Sequence, residues 1–378
     1  MVTRNVVRAC PYCGTSVELD KCAIVSTADP QIPPSGFGFD DDEPAARSRV
    51  LVPAKTVKTK GGGWFGRLPS PLELADQSEL PRRACTNCDS PFPLEMDECN
   101  ARPVAVVGLN RSGKSYFIGS TLTAASKSDA LAPFGVRRFT PLDETPRRLH
   151  GEYFLKLFRN DHTLDATTTY AHVERPPLLF HVEMEDGSAF VLVIHDVSGE
   201  ALMDRSLRAR TAGFVARASA VIFTADPLDI YALAPSLPSD DLEEVGVRDL
   251  DQAALLESVL RDMAAAGQDR APLALVLTKL DLLAALAEDL MKVSTDVAWK
   301  DRVRNRSVAT RSLLSELGEA KLVRLVLDHP GPSTFHAVSV LGTSEGRRQR
   351  GGRPSPIGVM DPLGTVLEQI RRVYSNDA

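Results

Sequence analysis

The chain has 378 residues, of which 43% are hydrophobic and 25% charged, as in an ordinary globular protein and unlike a fibrous or largely disordered one. Its net charge of −6 argues against a nucleic-acid coat. At about 150 residues per domain, the length predicts about two to three structural units. No apolar run reaches the roughly 18 residues of a transmembrane helix, and the N-terminus lacks the apolar core of a secretory signal, so we expect a cytoplasmic protein without a transmembrane segment.

Six cysteines in a chain without a secretory signal favour a metal site or free thiols over a disulfide framework. Two C-x-x-C pairs, Cys10 with Cys13 and Cys85 with Cys88, could supply four thiolates to a tetrahedral Zn²⁺ site, which we predict. Cys13 and Cys85 are 72 positions apart, far more than a compact zinc ribbon contains. The alternatives are a site that uses Cys22 or Cys99, or free thiols. A thioredoxin-like redox pair is disfavoured because neither pair lies in a βαβ context.

The stretch between the cysteine pairs has little periodicity. It contains Pro33 and Pro34, the acidic block 40–43 and the glycine run 61–63. This composition predicts a loop or a poorly ordered Pro- and Gly-rich insert over about 23–84. Because the C-P-x-C-G form of the first pair resembles a zinc-ribbon knuckle, we expect residues 1–100 to form a zinc-ribbon-like module and residues 101–378 to form a second domain.

From residue 101 onward, short apolar runs alternate with helical patterns, which is typical of βα units around a mostly parallel sheet. The predicted strands are 103–107, 178–184, 190–195, 220–224, 273–277 and 335–340. The predicted helices are 115–126, 201–216, 250–265, 281–290, 303–327 and 363–373. Asp186 and Gly187 lie between the second and third strands and favour a tight hairpin, so we expect one antiparallel edge strand. The arginine- and glycine-rich tract 345–356 predicts a flexible loop before the last helix.

The strongest motif follows the first of these strands. The stretch from Gly108 to Ser115, GLNRSGKS, fits G-x-x-x-x-G-K-[ST] at every fixed position. Its glycines permit a tight turn whose N–H groups face phosphate oxygens, and the next helix directs its N-terminus at the same anion. Lys114 is expected to reach the terminal phosphates and the Ser115 hydroxyl to bind Mg²⁺. The predicted nucleotide-binding residues here are Gly108, Asn110, Arg111, Ser112, Gly113, Lys114, Ser115 and Tyr116.

This loop fits ATPases and GTPases equally, but three later motifs give the chain a resemblance to TRAFAC-class P-loop GTPases. The motifs are Asp196-Val197-Ser198-Gly199, Thr278-Lys279-Leu280-Asp281 and Ser339-Val340-Leu341-Gly342. The resemblance implies a three-layer α/β fold, Mg²⁺ held by Asp196, γ-phosphate sensed by the Gly199 N–H, and a backbone N–H near Val340 for the guanine carbonyl. The last match is loose because Val340 stands where the class has Ala.

The second of these motifs carries a physical reason for guanine. A carboxylate at Asp281 can accept hydrogen bonds from the ring N–H and the exocyclic amine of guanine. Adenine presents an unprotonated ring nitrogen there, so a buried acceptor would stay unpaired. The stem of Lys279 can lie along the base. We therefore predict GTP or GDP as the ligand, read by Thr278, Lys279 and Asp281 with Ser339 and Val340.

The chain departs from the class at the residue after Gly199. Glu200 stands where related GTPases carry a water-positioning Gln or His, which suggests slow hydrolysis; the predicted catalytic residues are Lys114, Gly199 and Glu200. A switch threonine for Mg²⁺ is expected within 163–169, and we choose Thr168. Residues 137–174 are expected to form an elaborated, mobile switch region. No arginine finger can be assigned.

The arrangement of a cysteine-rich unit before a GTPase domain resembles bacterial double-GTPase or conflict-system GTPases. That resemblance implies protein effectors or regulators as partners, while nucleic acid is disfavoured by the acidic chain. Three functions stay open. The first is a GTPase, a hydrolase that works as a molecular switch; the second is a nucleotide-binding scaffold with little or no hydrolysis; the third is an ATPase, against which Asp281 argues. The sequence does not predict the oligomeric state.

Overall fold

The computed structural model describes residues 6–26, 49–52, 81–109, 111–127, 129–154, 176–199, 202, 213–230, 251–292, 297–342 and 355–374. The first described strands are β1 (Val7–Ala9), β2 (Ser16–Glu18), β3 (Ala23–Ser26), β4 (Arg49–Val52) and β5 (Pro81–Ala84). β1 and β2 form an antiparallel hairpin, and β3 pairs with both β4 and β5. Ala23 lies opposite Ala84, so the predicted insert begins and ends on neighbouring strands.

The described part of the chain then contributes seven strands to a central sheet: β6 (Asn100–Gly108), β7 (Val136–Pro141), β8 (Leu178–Met184), β9 (Ala189–Ser198), β10 (Ala220–Ala225), β11 (Leu273–Leu277) and β12 (Ser333–Ala337). The strand order is β12-β11-β10-β6-β9-β8-β7. The five strands from β12 to β9 are parallel. β8 runs antiparallel to β9, and β7 runs antiparallel to β8 and therefore in the same direction as β9. The mostly parallel sheet and the Asp186-Gly187 hairpin are therefore confirmed. The antiparallel strand β8 is not the expected edge strand, however, because β7 pairs with its outer side.

Helices cover both faces of this sheet. They are α1 (Lys114–Ala125), α2 (Thr145–Arg148), α3 (Gln252–Ala265), α4 (Glu288–Met291), α5 (Trp299–Glu316), α6 (Ala320–Leu327) and α7 (Met360–Val373). A π-helical turn, Leu149–Phe154, continues α2. Short 3₁₀ turns lie at Leu19–Lys21, Leu94–Asp97, Ala132–Phe134, Pro227–Asp229 and Leu280–Leu283. Within the described residues, none of the helices combines the length and the apolar character that crossing a bilayer requires.

Alternating side chains of the parallel strands enter two cores, as the period-two geometry of a strand requires. Val104 and Val106 of β6 pack with α1 and α7 on one face, while Ala105 and Val107 pack with α3 and α6 on the other. A third cluster joins the N-terminal module to the sheet, because Val191 and Val193 of β9 are buried among module residues such as Phe92 and Met96. These side chains connect the two predicted units directly.

Several predicted elements differ from the structure. The single helix expected over 281–290 is divided into the 3₁₀ turn Leu280–Leu283 and α4, and the helix expected over 303–327 is divided into α5 and α6 at Gly318, whose φ is +89°. The last strand ends at Ala337 instead of residue 340. The predicted switch region 137–174 begins inside the edge strand β7, and the predicted insert contains β3, β4 and β5. Most of the predicted helix 201–216 and the tract 345–354 lie outside the described residues.

Candidate nucleotide and metal sites

The four nucleotide motifs lie at the carboxyl ends of β6, β9, β11 and β12, and Asp196 is still within β9. Since these strands are parallel, their carboxyl ends lie at one edge of the sheet, where open α/β sheets bind ligands. The chain passes from β6 to β9 on one side of β6 and then to β10 on its other side. The glycine-rich loop therefore leaves the sheet at the strand where the winding direction reverses.

The glycine-rich loop between β6 and α1 depends on close backbone approach. A Cβ atom on Gly108 would lie 1.9 Å from Thr224 Oγ1, so no larger residue fits. Gly113 has φ +76° and directly precedes α1, so the helix N-terminus opens towards this loop. The buried Ser112 hydroxyl is 2.9 Å from the Thr224 hydroxyl of β10, which fixes the loop to the neighbouring strand. Arg111 is exposed with φ +64°.

The Asp196 motif meets the glycine-rich loop from β9. Asp196 lies opposite Val106 in the β6–β9 register, and its carboxylate is 3.1 Å from Lys114 Nζ. The Ser115 hydroxyl donates to the same carboxylate at 3.4 Å. A Cβ atom on Gly199 would lie 3.0 Å from the Gly108 carbonyl oxygen, so the two motif glycines are in close backbone contact. This contact brings together an ammonium, a hydroxyl and a carboxylate beside a loop of backbone N–H groups.

The Thr278 motif is tied to the same loop from the other side. The Thr278 hydroxyl is 2.6 Å from the Ser112 carbonyl oxygen, to which it donates, and 3.0 Å from the Ala225 carbonyl. Lys279 has φ +50°, and its ammonium lies 2.8 Å from Asp226, a fully buried carboxylate at the end of β10. Sequence analysis missed Thr224 and Asp226. Asp226 follows an apolar strand directly, as Asp196 follows its own apolar run, and this position is the signal that could have identified it.

Asp281 and Ser339 form a second connection between motif loops. The Ser339 hydroxyl donates to Asp281 Oδ1 at 2.6 Å, and the Gly342 N–H donates to the Ser339 hydroxyl at 2.9 Å. Both side chains are buried. The Leu280 N–H donates to the Val338 carbonyl at 3.0 Å, so the loops after β11 and β12 run side by side. Val340 is half-buried against the core that contains α7.

Other predicted residues are placed less informatively. Tyr116 is half-buried in the first turn of α1. Asn110, Thr168 and Glu200 lie outside the described residues, as do the neighbouring threonines 163, 167 and 169.

The two cysteine pairs come together in the N-terminal module. The Sγ atoms of Cys10, Cys13, Cys85 and Cys88 all lie within 4.8 Å of one another, and this is the one cluster of three or more His, Cys, Asp or Glu ligand atoms within the described residues. The pairing of β3 with β5 closes the long insert and delivers Cys85, which follows β5, to the first pair. Cys22 and Cys99 are buried but are not part of the cluster.

The two knuckles have the same backbone geometry. In each, the residue after the second cysteine adopts a positive φ, +67° at Gly14 and +58° at Asp89, and its N–H donates to the carbonyl of the first cysteine. The N–H groups of Tyr12 and Asn87 face the sulfurs of Cys10 and Cys85 at 3.4 Å. Donors around sulfur favour thiolates.

The thiols also act on one another. A hydrogen bond from Cys10 is the main factor that lowers the pKa of Cys13 to about 5 and that of Cys88 to about 2. Contact with its neighbours raises the pKa of Cys10 in turn, chiefly through Cys13. Four sulfurs at this spacing, two of them favoured as thiolates, fit the donor set of Zn²⁺.

A sheet of this order, with a glycine-rich loop between its central strand and a helix, defines a P-loop nucleotide-binding protein. The Double-GTPase 2 family model matches residues 102–322, more than half of the chain, so the chain belongs to that family. Membership identifies it as a GTP-binding protein with the P-loop GTPase fold, as the sequence motifs predict.

The chain is similar to the putative ESX-1 scaffolding and assembly protein SaeC of Mycolicibacterium smegmatis, with 28% identity over 235 residues. The matched region is 61% of this chain and 59% of SaeC, so the chain spans less than two thirds of that relative's length.

Among solved structures, the Arl6 (BBS3) small GTPase from Trypanosoma brucei with bound GppNp has 16% identity and a TM-score of 0.33, and the match covers 72% of this chain and 99% of that one. The G domain of the T. maritima FeoB iron transporter has 11% identity and a TM-score of 0.28, with coverage of 72% and 98%. Scores of this size do not define the fold, which follows from the sheet order and the family.

Proposed function

We propose that this chain is a Mg²⁺-dependent GTPase that works as a molecular switch for a protein partner. The observation that supports this most is the 2.6 Å hydrogen bond from the Thr278 hydroxyl to the Ser112 carbonyl. It joins the loop that would read the base to the loop that would hold the phosphates, so a single nucleotide can touch both.

At the phosphate end, backbone N–H groups of the glycine-rich loop would donate to the phosphate oxygens, with Lys114 as the proposed terminal-phosphate ligand. The Lys114 ammonium pairs with Asp196 at 3.1 Å, close to the loop it would serve. A cation on Asp196 would leave the ammonium free to pair with phosphate. Arg111 and Tyr116 are further proposed nucleotide ligands of this loop.

Ser115 and Asp196 supply hard oxygen ligands beside the loop and fit Mg²⁺, with Thr168 as the proposed switch ligand. Bound Mg²⁺ would neutralise charge on the phosphate oxygens. The Gly199 N–H is the proposed γ-phosphate sensor. Glu200 follows the proposed γ-phosphate sensor in sequence, and a negative charge beside the γ-phosphate would orient water poorly, so we expect slow intrinsic hydrolysis.

At the base end, Asp281 would accept hydrogen bonds from the guanine ring N–H and amine. The Ser339 hydroxyl already donates to one Asp281 oxygen at 2.6 Å and so orients the carboxylate. The backbone near Ser339 and Val340 would donate to the guanine carbonyl. The Asp281 and Ser339 side chains are buried, so a base that leaves the Asp281 carboxylate without hydrogen-bond donors should bind weakly.

Replacement of Asp281 by Asn tests the base assignment. An amide accepts one hydrogen bond and donates others, so it suits xanthine, which has a carbonyl where guanine has its amine. Asp281→Asn should weaken GDP binding roughly 100-fold and improve binding of xanthosine diphosphate, measured by competition against a fluorescent nucleotide. Equal GDP affinity in the variant, or preference of the wild-type chain for ADP, would contradict the assignment.

A scaffold function with little hydrolysis is the second candidate. It is favoured by the similarity to SaeC, a putative ESX-1 scaffolding and assembly protein. Under this alternative, bound GTP is structural and a protein partner reads the folded chain. Single-turnover GTP hydrolysis by the wild-type chain, with Lys114→Ala as the inactive control, separates the two. Phosphate release that is faster in the wild-type chain than in Lys114→Ala supports the slow switch, and equally persistent GTP in both supports the scaffold.

We also propose that Cys10, Cys13, Cys85 and Cys88 hold a structural Zn²⁺. The sulfur spacing, the N–H donors and the matched knuckle turns support a closed four-thiolate site, which leaves no position for a substrate.

A further inference from the structure

One buried carboxylate lies at the nucleotide edge outside all four motifs. Asp226 follows β10 and has no exposed surface. Its Oδ1 accepts from the Leu228 N–H at 3.0 Å, and its own backbone N–H donates to the Gln252 side chain at 2.8 Å. The Gln252 amide returns a bond to the Asp226 carbonyl at 3.2 Å. The position of this carboxylate is therefore fixed by its own turn and by α3.

The second Asp226 oxygen receives the Lys279 ammonium at 2.8 Å. Lys279 begins from a left-handed backbone position directly after Thr278, and a Cβ atom on Gly113 would lie 3.9 Å from its Cγ. Its stem thus passes the second glycine of the phosphate loop on the way to Asp226. Both ends of this flexible side chain are held, at the backbone and at Asp226, so the conformational freedom of its methylene stem is reduced.

We infer that Asp226 is a positioning residue for the nucleotide base and acts through Lys279. The inference deepens the proposed function and rests on it. With its ammonium tied to Asp226, the methylene stem of Lys279 forms a fixed apolar wall between the Gly113 backbone and the loop that carries Asp281. A free lysine stem would have to be ordered by each nucleotide that binds, which reduces affinity.

A double-mutant cycle tests this role. Asp226→Asn keeps the shape of the side chain and an acceptor for the Leu228 N–H, but it removes the charge that holds Lys279. GDP affinity is measured by fluorescence titration for the wild-type chain, Asp226→Asn, Lys279→Met and the double variant. Asp226→Asn should weaken GDP binding roughly 10-fold in the wild-type background and less than about twofold in the Lys279→Met background, because the residue acts through a lysine that is already gone.

A base-free ligand separates positioning from damage to the fold. Inorganic tripolyphosphate reaches the phosphate loop without a base, so Asp226→Asn should leave its affinity unchanged. Asp251→Asn is the matched control, since Asp251 also caps a helix by accepting from a backbone N–H, that of Ala253 at 2.7 Å, and makes no contact with Lys279. That variant should bind GDP like the wild-type chain.

The outcomes are distinguishable. Equal losses of GDP affinity in both backgrounds, or a parallel loss of tripolyphosphate affinity, would show a structural residue and overturn the inference. An unchanged GDP affinity in Asp226→Asn would overturn it too, while the proposed function would stand. A wild-type chain that binds tripolyphosphate but no guanine nucleotide would overturn both.

Discussion

The nucleotide edge and the cysteine cluster are both made of loops, but different interactions hold them. At the nucleotide edge, direct hydrogen bonds and an ion pair connect the loops with one another and with β10: Ser112 contacts Thr224, Thr278 contacts Ser112, and Lys279 contacts Asp226. In the cysteine cluster, sulfur pairs lie 3.7 to 3.8 Å apart with N–H donors at 3.4 Å. The first region is held by its own hydrogen bonds and ion pair, whereas in the second we propose that a bound Zn²⁺ holds the four sulfurs together.

The two regions share strand β9. Val191 and Val193 are buried in the N-terminal module, and Asp196 lies further along the same strand at the nucleotide edge. Beyond β9, a Cβ atom on Gly14 of the first knuckle would lie 3.6 Å from the Gly213 carbonyl. The module therefore packs against the strand that carries Asp196.

Removal of one thiolate should have the largest effect. Cys85→Ser leaves three sulfur ligands, and since structural zinc contributes about 10 kcal/mol or more to folding in small modules, we expect the metal to be lost and the module to unfold. Metal analysis should show less than stoichiometric zinc, and hydrogen exchange should show β1, β2, β3 and β5 unprotected while β10 and β11 stay protected.

Cys99→Ser is the matched control, because Cys99 is buried in the same module outside the cluster. It should retain the metal. A wild-type chain purified without zinc would contradict the metal site.

The comparison of the two regions predicts that Cys85→Ser changes GDP affinity by less than about fivefold, the lower range of allosteric coupling. A larger loss would show that β9 transmits the state of the module to Asp196.

A single methyl group at the phosphate loop should have the next largest effect. The Cβ of Gly108→Ala would lie 1.9 Å from Thr224 Oγ1 and 2.8 Å from the Thr224 carbonyl, so the loop must separate from β10. Overpacking of this kind costs about 3 kcal/mol, and GDP affinity should fall because the loop is displaced. Urea unfolding and GDP titration measure the two effects.

Two further variants locate the cause of that loss. Gly108→Ala combined with Thr224→Ala should regain part of the stability, since the nearest clashing atom is gone while the carbonyl contact stays. Gly151 is exposed, and a Cβ atom added there would meet no atom of another part of the chain within 4 Å. Gly151→Ala should therefore change stability by less than about 1 kcal/mol. If Gly108→Ala were as mild as Gly151→Ala, close backbone approach would not be what orders the nucleotide edge.

The nucleotide edge was readable from sequence because each motif is contiguous and follows an apolar strand. The parallel sheet then places those strand ends at one edge without further information. Asp226 was missed because its role depends on Lys279, which is 53 positions away. β7 was missed because Arg137 and Arg138 face solvent and interrupt the apolar pattern.

The cysteine cluster was less predictable, since its ligands are brought together by pairing of β3 with β5 across the insert. Strand pairing at long sequence separation leaves no local signal. The helix break between α5 and α6 did have a signal in Gly318, whose positive φ ends α5, but the apolar periodicity on both sides concealed it.

Acid should have a smaller effect, and it separates the two regions by the groups that titrate. His336 of β12 lies near the nucleotide edge and far from the thiolates in the chain. Burial lowers its pKa to about 3, with a smaller contribution from Arg306. Its folded-state pKa is below the unfolded value of about 6.5, so the neutral ring stabilises the fold fully above pH 6.5 and loses that contribution as the pH falls towards 3. Between pH 7 and pH 5 the loss is about 2 kcal/mol.

His336→Gln removes this titration while it keeps a polar side chain near the Thr334 hydroxyl, which lies 2.9 Å from the ring in the wild-type chain. The variant should be less stable at pH 7 but should lose about 2 kcal/mol less than the wild-type chain between pH 7 and pH 5, measured by urea unfolding. Burial also lowers the pKa of His195, but that ring is present in both proteins and cancels in the difference.

Zinc release on acidification depends on thiolate protonation and should occur at the same pH in both proteins. Parallel stability curves would show that His336 does not titrate on unfolding, and a shifted zinc release would show that the sheet and the cysteine cluster respond to acid as one unit.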